Sequence, residues 1–328
     1  MFLCHALVPT SLASFSCHLL LPLSSATFSL YFPALMHAAP PPLSPATAPW
    51  RAPLLVKASI GLHLGAGAAV VGQPALWPWA LGAVVLNHAV VTATGLWPRS
   101  TWLGSNWRRL PAAAAARGEV AITIDDGPDP QVTPAVLDAL DALGARATFF
   151  CIARHAQANP QLCREIVARG HSVQNHSQRH SHTFSLLGPR AIEREVLQAQ
   201  DTLAQITGQR PQFFRAPAGL RNPFLAPVLH RLGLQLVSWT RRGFDTVRTD
   251  PADVLARLTR QLAAGDIVLL HDGHAARTAS GGAVLLDVLP AFVGRLNALA
   301  LRSVTLPQAL RAEVNRVEPV EQVDRVVR

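Results

Sequence analysis

No Asp, Glu, Lys or Arg occurs before Arg51, and few occur before Arg99. This gap explains a charged fraction of only 15% in a chain that is 49% hydrophobic, a balance low in charge for a soluble protein. Beyond Arg99 the charge density is ordinary. Lysine is almost missing: Lys57 is the only one, so arginine carries the formal charge of +9. The arginines are dispersed among acids, as in Arg190-Ala191-Ile192-Glu193-Arg194-Glu195. That is the pattern of solvated helix faces, whereas phosphate backbones need a concentrated patch, so no nucleic-acid partner is expected. An acidic membrane surface remains a fitting neighbour, because anionic headgroups attract juxtamembrane arginine. Cysteine is scarce too. Cys4 and Cys17 lie near the start, Cys151 ends an apolar strand-like run and Cys163 sits on a helix-like segment, with no CxxC pair anywhere. This excludes a disulfide framework and a zinc knuckle, and leaves Cys151 and Cys163 as small core residues.

Methionine occurs only at positions 1 and 36. Residues 1–50 form a low-complexity leader, rich in Ser, Leu, Ala and Pro, that includes the helix-breaking run Ala39-Pro40-Pro41-Pro42. Leu19 to Leu23 hints at a signal peptide, but the basic n-region is missing. The leader is therefore expected to be disordered, or untranslated if synthesis begins at Met36. Residues 51–100 hold two apolar stretches, Leu54 to Gly72 and Ala75 to Trp97, split by Gly72-Gln73-Pro74. Each is near the ~20 residues that cross a bilayer, and Trp77, Trp79 and Trp97 flank the second as interfacial aromatics do. Lys57, His63, Asn87 and His88 argue the other way, toward a packed helix pair serving a dimer or domain interface. The membrane hairpin is the favoured reading, anchoring the chain in a bacterial inner membrane. Arg51 and Lys57 before it and Arg99, Arg108 and Arg109 after it would keep both ends cytoplasmic, unless the leader adds a further span. The oligomeric state is not legible.

From about residue 118 the pattern changes to apolar runs alternating with amphipathic segments. Val120–Ile124, Ala147–Ile152, Ser172-Val173, Phe213-Phe214, Leu234–Trp239, Ile267–Leu270 and Val304–Leu306 read as strands. Thr133–Leu143, Pro160–Arg169, Pro189–Ile206, Pro223–Leu232, Pro251–Ala263 and Val284–Leu301 read as helices. Such alternation implies an α/β fold of parallel strands with crossover helices, either a barrel or an open doubly wound sheet. In both, chemistry gathers where strands end.

The polar residues fall at those ends. The first strand closes on Asp125-Asp126-Gly127-Pro128. Adjacent carboxylates are unfavourable without a cation or hydrogen-bond donors, so this is either a metal site or an acidic capping turn. A phosphoryl-transfer aspartate lacks its glycine-rich phosphate loop here. After the third strand, His176 and His180 have the i,i+4 spacing that puts two imidazoles on one face of a helical turn, suited to two ligands of one metal with a carboxylate and an open water position. His171 and His182 read as structural or supporting. Arg215 follows the fourth strand, Trp239 and Asp245 the fifth, and His271 ends the sixth.

Together these residues resemble the polysaccharide deacetylase family, the NodB-homology group of carbohydrate esterases (family 4). The resemblance spans about Gly118 to Leu310. It rests on Thr123-Ile124-Asp125-Asp126-Gly127-Pro128, where the family has Phe at the second place; on His176-Ser177-Gln178-Arg179-His180; on Arg215-Ala216-Pro217; on Asp245; and on Leu269-Leu270-His271. It implies a distorted (β/α)7-type barrel over residues 118–310, with 311–328 as a tail. It also implies a metal-dependent hydrolase that removes an acyl group, in the first place N-acetyl, from an amino sugar in a glycan, oligosaccharide or lipid-linked precursor. On this resemblance Asp126, His176 and His180 hold one divalent ion, expected to be Zn²⁺. Asp125 is then the base, Arg215 holds it, His271 is the acid, and Asp245 orients His271. The backbone N–H of Ala218 stabilises the oxyanion, while Trp239 and Leu269 wall the acyl pocket. Two departures stand out. Ala218 replaces the aromatic that follows the third motif's proline. In the fourth motif Arg242 stands where its first Asp belongs and Thr246 where its Trp belongs. The chemistry is preserved, but the usual groove for a sugar polymer is not. A non-sugar amidase and a catalytically inactive glycan-binding protein are the alternatives, and the presence of all five core groups speaks against the second.

Overall fold

The computed structural model describes residues 49–314, so the expectations for the leader up to residue 48 and for the tail beyond Val314 lie outside the described residues. The described residues open with two helices, α1 (Leu54–Gly72) and α2 (Trp77–Leu96), followed by the short α3 (Ala112–Ala116). The barrel elements then run β1 (Glu119–Asp125), α4 (Thr133–Ala142), β2 (Ala147–Cys151), α5 (Ala153–Ala158), α6 (Pro160–Ala168), β3 (Ser172–Asn175) and α7 (Pro189–Thr207). Next come β4 (Phe213–Phe214), α8 (Leu225–Arg231), β5 (Gln235–Leu236), β6 (Arg241–Arg242), α9 (Pro251–Thr259) and β7 (Ile267–His271). The last elements are α10 (Val284–Ala298), β8 (Arg302–Ser303) and α11 (Leu306–Val314).

All strand pairings are parallel, in the order β5-β4-β3-β2-β1-β7-β6, with β8 added beside the start of β1. Chain length shows that this sheet is curled. A flat sheet would separate β5 from β6 by six spacings of about 4.8 Å, roughly 29 Å. The chain from Leu236 to Arg241 can span only about 18 Å fully extended, so the two edges are drawn together into a distorted (β/α) barrel with its seam between them.

Side-chain alternation then separates two cores. Val120, Ile122 and Ile124 of β1, Ala147, Phe149 and Cys151 of β2, and Val268 and Leu270 of β7 face the helical layer and join the large outer cluster with α4, α6 and α10. Ala121, Phe150, Ile267 and Leu269, from the opposite faces of the same strands, meet Phe213, Val237 and Trp239 inside the barrel. By the same period of two, Thr123 and Asp125 share the inward face of β1 with Ala121.

Several boundaries differ from the expected ones. The segment expected as a strand at Val304–Leu306 instead leads into α11, which starts at Leu306, the strand itself being Arg302–Ser303. The cause is a reciprocal cap: Gln308 N–H donates to Thr305 Oγ1 (3.2 Å) and Thr305 N–H to Gln308 Oε1 (2.9 Å), a capping box that a Thr-x-x-Gln spacing encodes. α11 runs to Val314, past the expected domain end at 310. At the other end, α1 buries none of its residues. Three of the four polar residues that counted against a membrane hairpin, all but Lys57, are paired between its two helices. Asn87 Nδ2 donates to Ser59 Oγ (2.8 Å), and His63 Nε2 stands 3.2 Å from His88 Nε2.

Candidate active site

β1 and β7 are register partners, with Asp125 opposite His271, so strand parity alone brings a carboxylate and an imidazole to one rim. Arg215, just past β4, enters from across the barrel and is 1% exposed. Nη1 donates to Asp125 Oδ1 (2.6 Å) and to Thr123 Oγ1 (2.8 Å), Nη2 to Ser238 O (3.1 Å) and Nε to Val237 O (3.3 Å). Its guanidinium lies over the Phe150 ring at 4.1 Å. Burial pushes the Arg215 pKa down, and Asp125 resists that shift.

Asp126 comes one residue later in a left-handed conformation (φ 74°), which turns its carboxylate away from the β1 path. His155 Nδ1 meets its carbonyl oxygen at 2.9 Å. His176 and His180 do not lie on a helix, as their spacing suggested. They occupy the loop after β3, which is bent by positive φ at Ser177 (65°) and His180 (52°). That loop is tied down by Asn175, whose Oδ1 accepts from Ser177 N–H (2.9 Å), and by Ser177 Oγ, which accepts from His180 N–H (3.0 Å). Glu195 of α7 clamps the residue before His180, accepting from Arg179 Nε at 2.7 Å. The two rings end with centroids 4.8 Å apart.

These three residues fit a divalent cation. Asp126 Oδ1 is buried with no hydrogen bond of acceptable geometry, yet His176 Nε2 and His180 Nε2 each stand 3.3 Å from Asp126 Oδ1. His176 Nδ1 contacts Arg215 O (2.8 Å), leaving Nε2 to face the carboxylate. One unpartnered carboxylate oxygen confronting two imidazole nitrogens is a metal-ligand set. For Asp126, burial opposes ionisation, but His176, His271 and His180 outweigh it and hold the carboxyl well below the usual range. Burial, followed by the neighbouring His176, pushes His180 down to about 4, which favours the neutral ring that ligation requires.

On the other side, Asp245 grips His271 twice. Asp245 Oδ2 accepts from the backbone N–H (2.7 Å), and Oδ1 lies 3.0 Å from Nδ1. Burial disfavours the imidazolium, but this pairing and the charges of Asp125 and Asp126 prevail and raise the His271 pKa. Between the two halves lies a cavity of about 170 Å³, lined by Asp125, Asp126, His176, His180 and His271 together with Ala218, Trp239 and Leu269. All ten residues singled out in the sequence thus converge, eight of them lining the cavity and Arg215 and Asp245 standing directly behind it. Arg242 and Thr246, the two departures, also line it.

Sequence reasoning missed the layer beneath. Asp272 is 1% exposed, accepts from Thr133 Oγ1 and from Gly273 N–H (2.9 Å), and is pushed up to about 7 by burial. It packs under Gly127, where a Cβ would collide with its carboxylate. The His-Asp-Gly sequence at 271–273 was its visible signal, but nothing in one dimension tied Asp272 to Thr133.

A family model described as polysaccharide deacetylase matches residues 113–237. A peptidoglycan-N-acetylglucosamine deacetylase of Bacillus cereus is 34% identical over 194 residues, covering 58% of this chain and 88% of that protein. A chitooligosaccharide deacetylase of Sinorhizobium fredii is 35% identical over 167 residues, 51% of this chain and 77% of that one. Among solved structures, a family 4 carbohydrate esterase from Streptomyces lividans in complex with acetate aligns with a TM-score of 0.52 at 32% identity, covering 57% of this chain and 91% of that one. With its barrel, its rim and these relatives taken together, the chain belongs to the polysaccharide deacetylase family.

Proposed function

We propose that this chain is a metal-dependent hydrolase that removes an acyl group, foremost N-acetyl, from an amino sugar held close to a membrane. The observation that carries the reading is the cavity itself. It sets a cation-binding triad beside an arginine-held carboxylate, and a carboxylate-held imidazole opposite both. Asp126, His176 and His180 would hold the ion, with Zn²⁺ suited to two imidazoles and one carboxylate. When bound, such an ion supplies Lewis acidity at the carbonyl and at the attacking water.

The chain's own groups supply the rest. Asp125, oriented by Arg215, takes the proton of a water attacking the acyl carbonyl. The backbone N–H of Ala218 receives the oxyanion, a contact worth roughly 3 kcal/mol. His271 then delivers a proton to the departing amine nitrogen as the C–N bond breaks, and Asp245 fixes its tautomer. Trp239 and Leu269 close the pocket around the acyl group. At about 170 Å³ the cavity is smaller than the roughly 300 Å³ at the low end of small-molecule sites, so it takes the acyl group while the sugar lies outside. The helical pair at 54–96 would anchor the enzyme in the membrane, with its flanking cations on the cytoplasmic side.

The test is acetate or formate release from N-acyl glycans, free amino sugars, lipid-linked amino sugars and simple amides, with and without chelator. Release from amino sugars that chelator abolishes is the expected result. Release from simple amides alone would make the chain a non-sugar amidase, and no release from metal-loaded protein would make it a binding protein. Asp125→Asn should keep the metal and lose turnover by at least about 100-fold, whereas His176→Ala should lose most of the metal. Wild-type turnover in the first variant would remove Asp125 as base.

A further inference from the structure

A second cleft of about 350 Å³ abuts the catalytic cavity, sharing Trp239 and Arg242 with it, and opens toward Trp97 and Arg99 at the exit of α2. No carboxylate lines it, yet five arginines do: Arg99, Arg241, Arg242, Arg257 and Arg260. The dispersed arginines of the sequence are here gathered by the fold. Arg241 is engaged by Asp266 (2.9 Å) and Arg257 by Asp253 (3.0 Å). Arg99, Arg242 and Arg260 have no carboxylate partner among the described residues.

Arg242 is the informative one. It is half-buried, its Nε is fully enclosed without a hydrogen-bond partner, and its guanidinium lies over Phe244 at 4.8 Å and Trp239 at 5.6 Å. Two aromatic rings therefore hold a cation between the acyl-cleaving cavity and the cleft. A partly desolvated guanidinium with unused donors calls for an oxyanion, and arginine's planar fork matches phosphate.

We propose that this cleft is a phosphate subsite, and that the enzyme's substrate is an N-acyl amino sugar carrying a phosphate or diphosphate on its way to a lipid tail. The proposal rests on the hydrolase reading above and narrows its substrate class. The acyl group enters the 170 Å³ cavity, the anion sits among Arg99, Arg242 and Arg260, and the lipid continues toward α2. Thr246 and Arg242 then have a common meaning, since the wall that lost an acid and an aromatic became a cationic one. Bilayer headgroups present the same phosphate chemistry. The position of Arg242, lining the catalytic cavity and stacked behind it, favours the substrate's own anion.

The full chain in zwitterionic nanodiscs is assayed on N-acetylglucosamine 1-diphosphate and 1-phosphate bearing a short prenyl chain, and on the neutral methyl N-acetylglucosaminide. The readout is the ratio of kcat/KM between phosphorylated and neutral substrates. Wild type should favour the phosphorylated ones by at least about 100-fold, and Arg242→Gln or the pair Arg99→Gln and Arg260→Gln should cut the ratio by about tenfold or more through KM. Arg242→Lys, which keeps the charge but not the fork, should fall between. Arg190→Gln with Arg194→Gln, on α7, should leave the ratio unchanged. An unaltered ratio in the cleft variants, with the neutral sugar still hydrolysed, overturns the subsite and spares the hydrolase reading. No hydrolysis of either substrate overturns both. Vesicle flotation separates the two phosphate sources. If the same variants release the chain from phosphatidylglycerol but not phosphatidylcholine vesicles, with the kinetic ratio intact, the cleft serves the bilayer and the proposal fails.

Discussion

At the scale of the single residue, a buried charge is costly unless its neighbours answer it. Arg215 answers its donors with one carboxylate, one hydroxyl and two carbonyls, which a buried cation requires if it is not to cost several kcal/mol. His171 is the opposite case, a buried base kept neutral. It is 4% exposed, its Nδ1 accepts from Ala147 N–H (3.2 Å), and Nε2 has no hydrogen-bond partner. Burial, followed by the charge of Arg146, pushes its pKa down to about 4. The unfolded chain therefore binds the proton more readily than the folded one. The stability His171 secures is complete above the ordinary histidine value near 6.5 and is lost as pH falls toward 4, by at most about 3 kcal/mol. Thermal melting in detergent at pH 7.5 and pH 5 should show a larger drop for wild type than for His171→Gln, whose amide oxygen can still accept from Ala147. Equal drops would place the acid sensitivity elsewhere. The spacing of residues disclosed the rim but not this pairing, because the partners of His171 and Asp272 lie on other strands and helices.

At the scale of elements, what the sequence disclosed follows a simple rule. Three of the four helices expected to open on proline were found at their start, since Pro160, Pro189 and Pro251 each occupy the first turn of α6, α7 and α9, where a missing N–H costs nothing, whereas α8 begins at Leu225, past Pro223. Strands buried on both faces were found as apolar runs. Two-residue strands were found only where they are apolar: β4 (Phe213–Phe214) was, but β6 is Arg241–Arg242, and only its pairing with β7 makes it one. His176 and His180 come together by another route than their spacing suggested, since a loop pinned by Asn175 and Ser177 replaces the expected helical turn. The overlooked capping box at Thr305 and Gln308 offers a test of how separable the two ends of the barrel are. β8, immediately before it, pairs with Glu119 and Val120, at the opposite end of β1 from Asp125. Thr305→Ala should therefore lower stability by about 1 kcal/mol and leave kcat/KM as it was. A fall in kcat at full metal content would show that the two ends are coupled.

At the scale of the whole molecule, the amino-terminal helices and the barrel are joined where the chemistry is. Gly95, in the last turn of α2, has no room for a Cβ against the Arg221 carbonyl, and a Cβ on Gly219 would strike Pro98 and Trp239 at 2.6 and 2.8 Å. The exit of the helical pair thus forms part of the active-site surround. The rest of that pair is unlike a soluble surface: Leu54, Leu64, Val71 and Trp79 are 71% exposed or more, and both helices are long and apolar enough to cross a membrane. Exposed apolar area on that scale marks a membrane or an interface. The pairing of Ser59 with Asn87 and of His63 with His88 between the two helices answers the polar objections to the membrane other than Lys57, since polar side chains in hydrocarbon are tolerated when they satisfy one another. In the expressed full chain, alkaline carbonate should leave the protein in the membrane pellet and detergent should release it. Replacing outward-facing Leu64 and Leu86 by Arg, each costing about 3 kcal/mol at mid-bilayer, should shift it to the carbonate-soluble fraction. Release of the wild type by carbonate alone would return the helical pair to the alternative of a protein–protein interface, and the cleft beside α2 would then open onto a partner instead of a lipid.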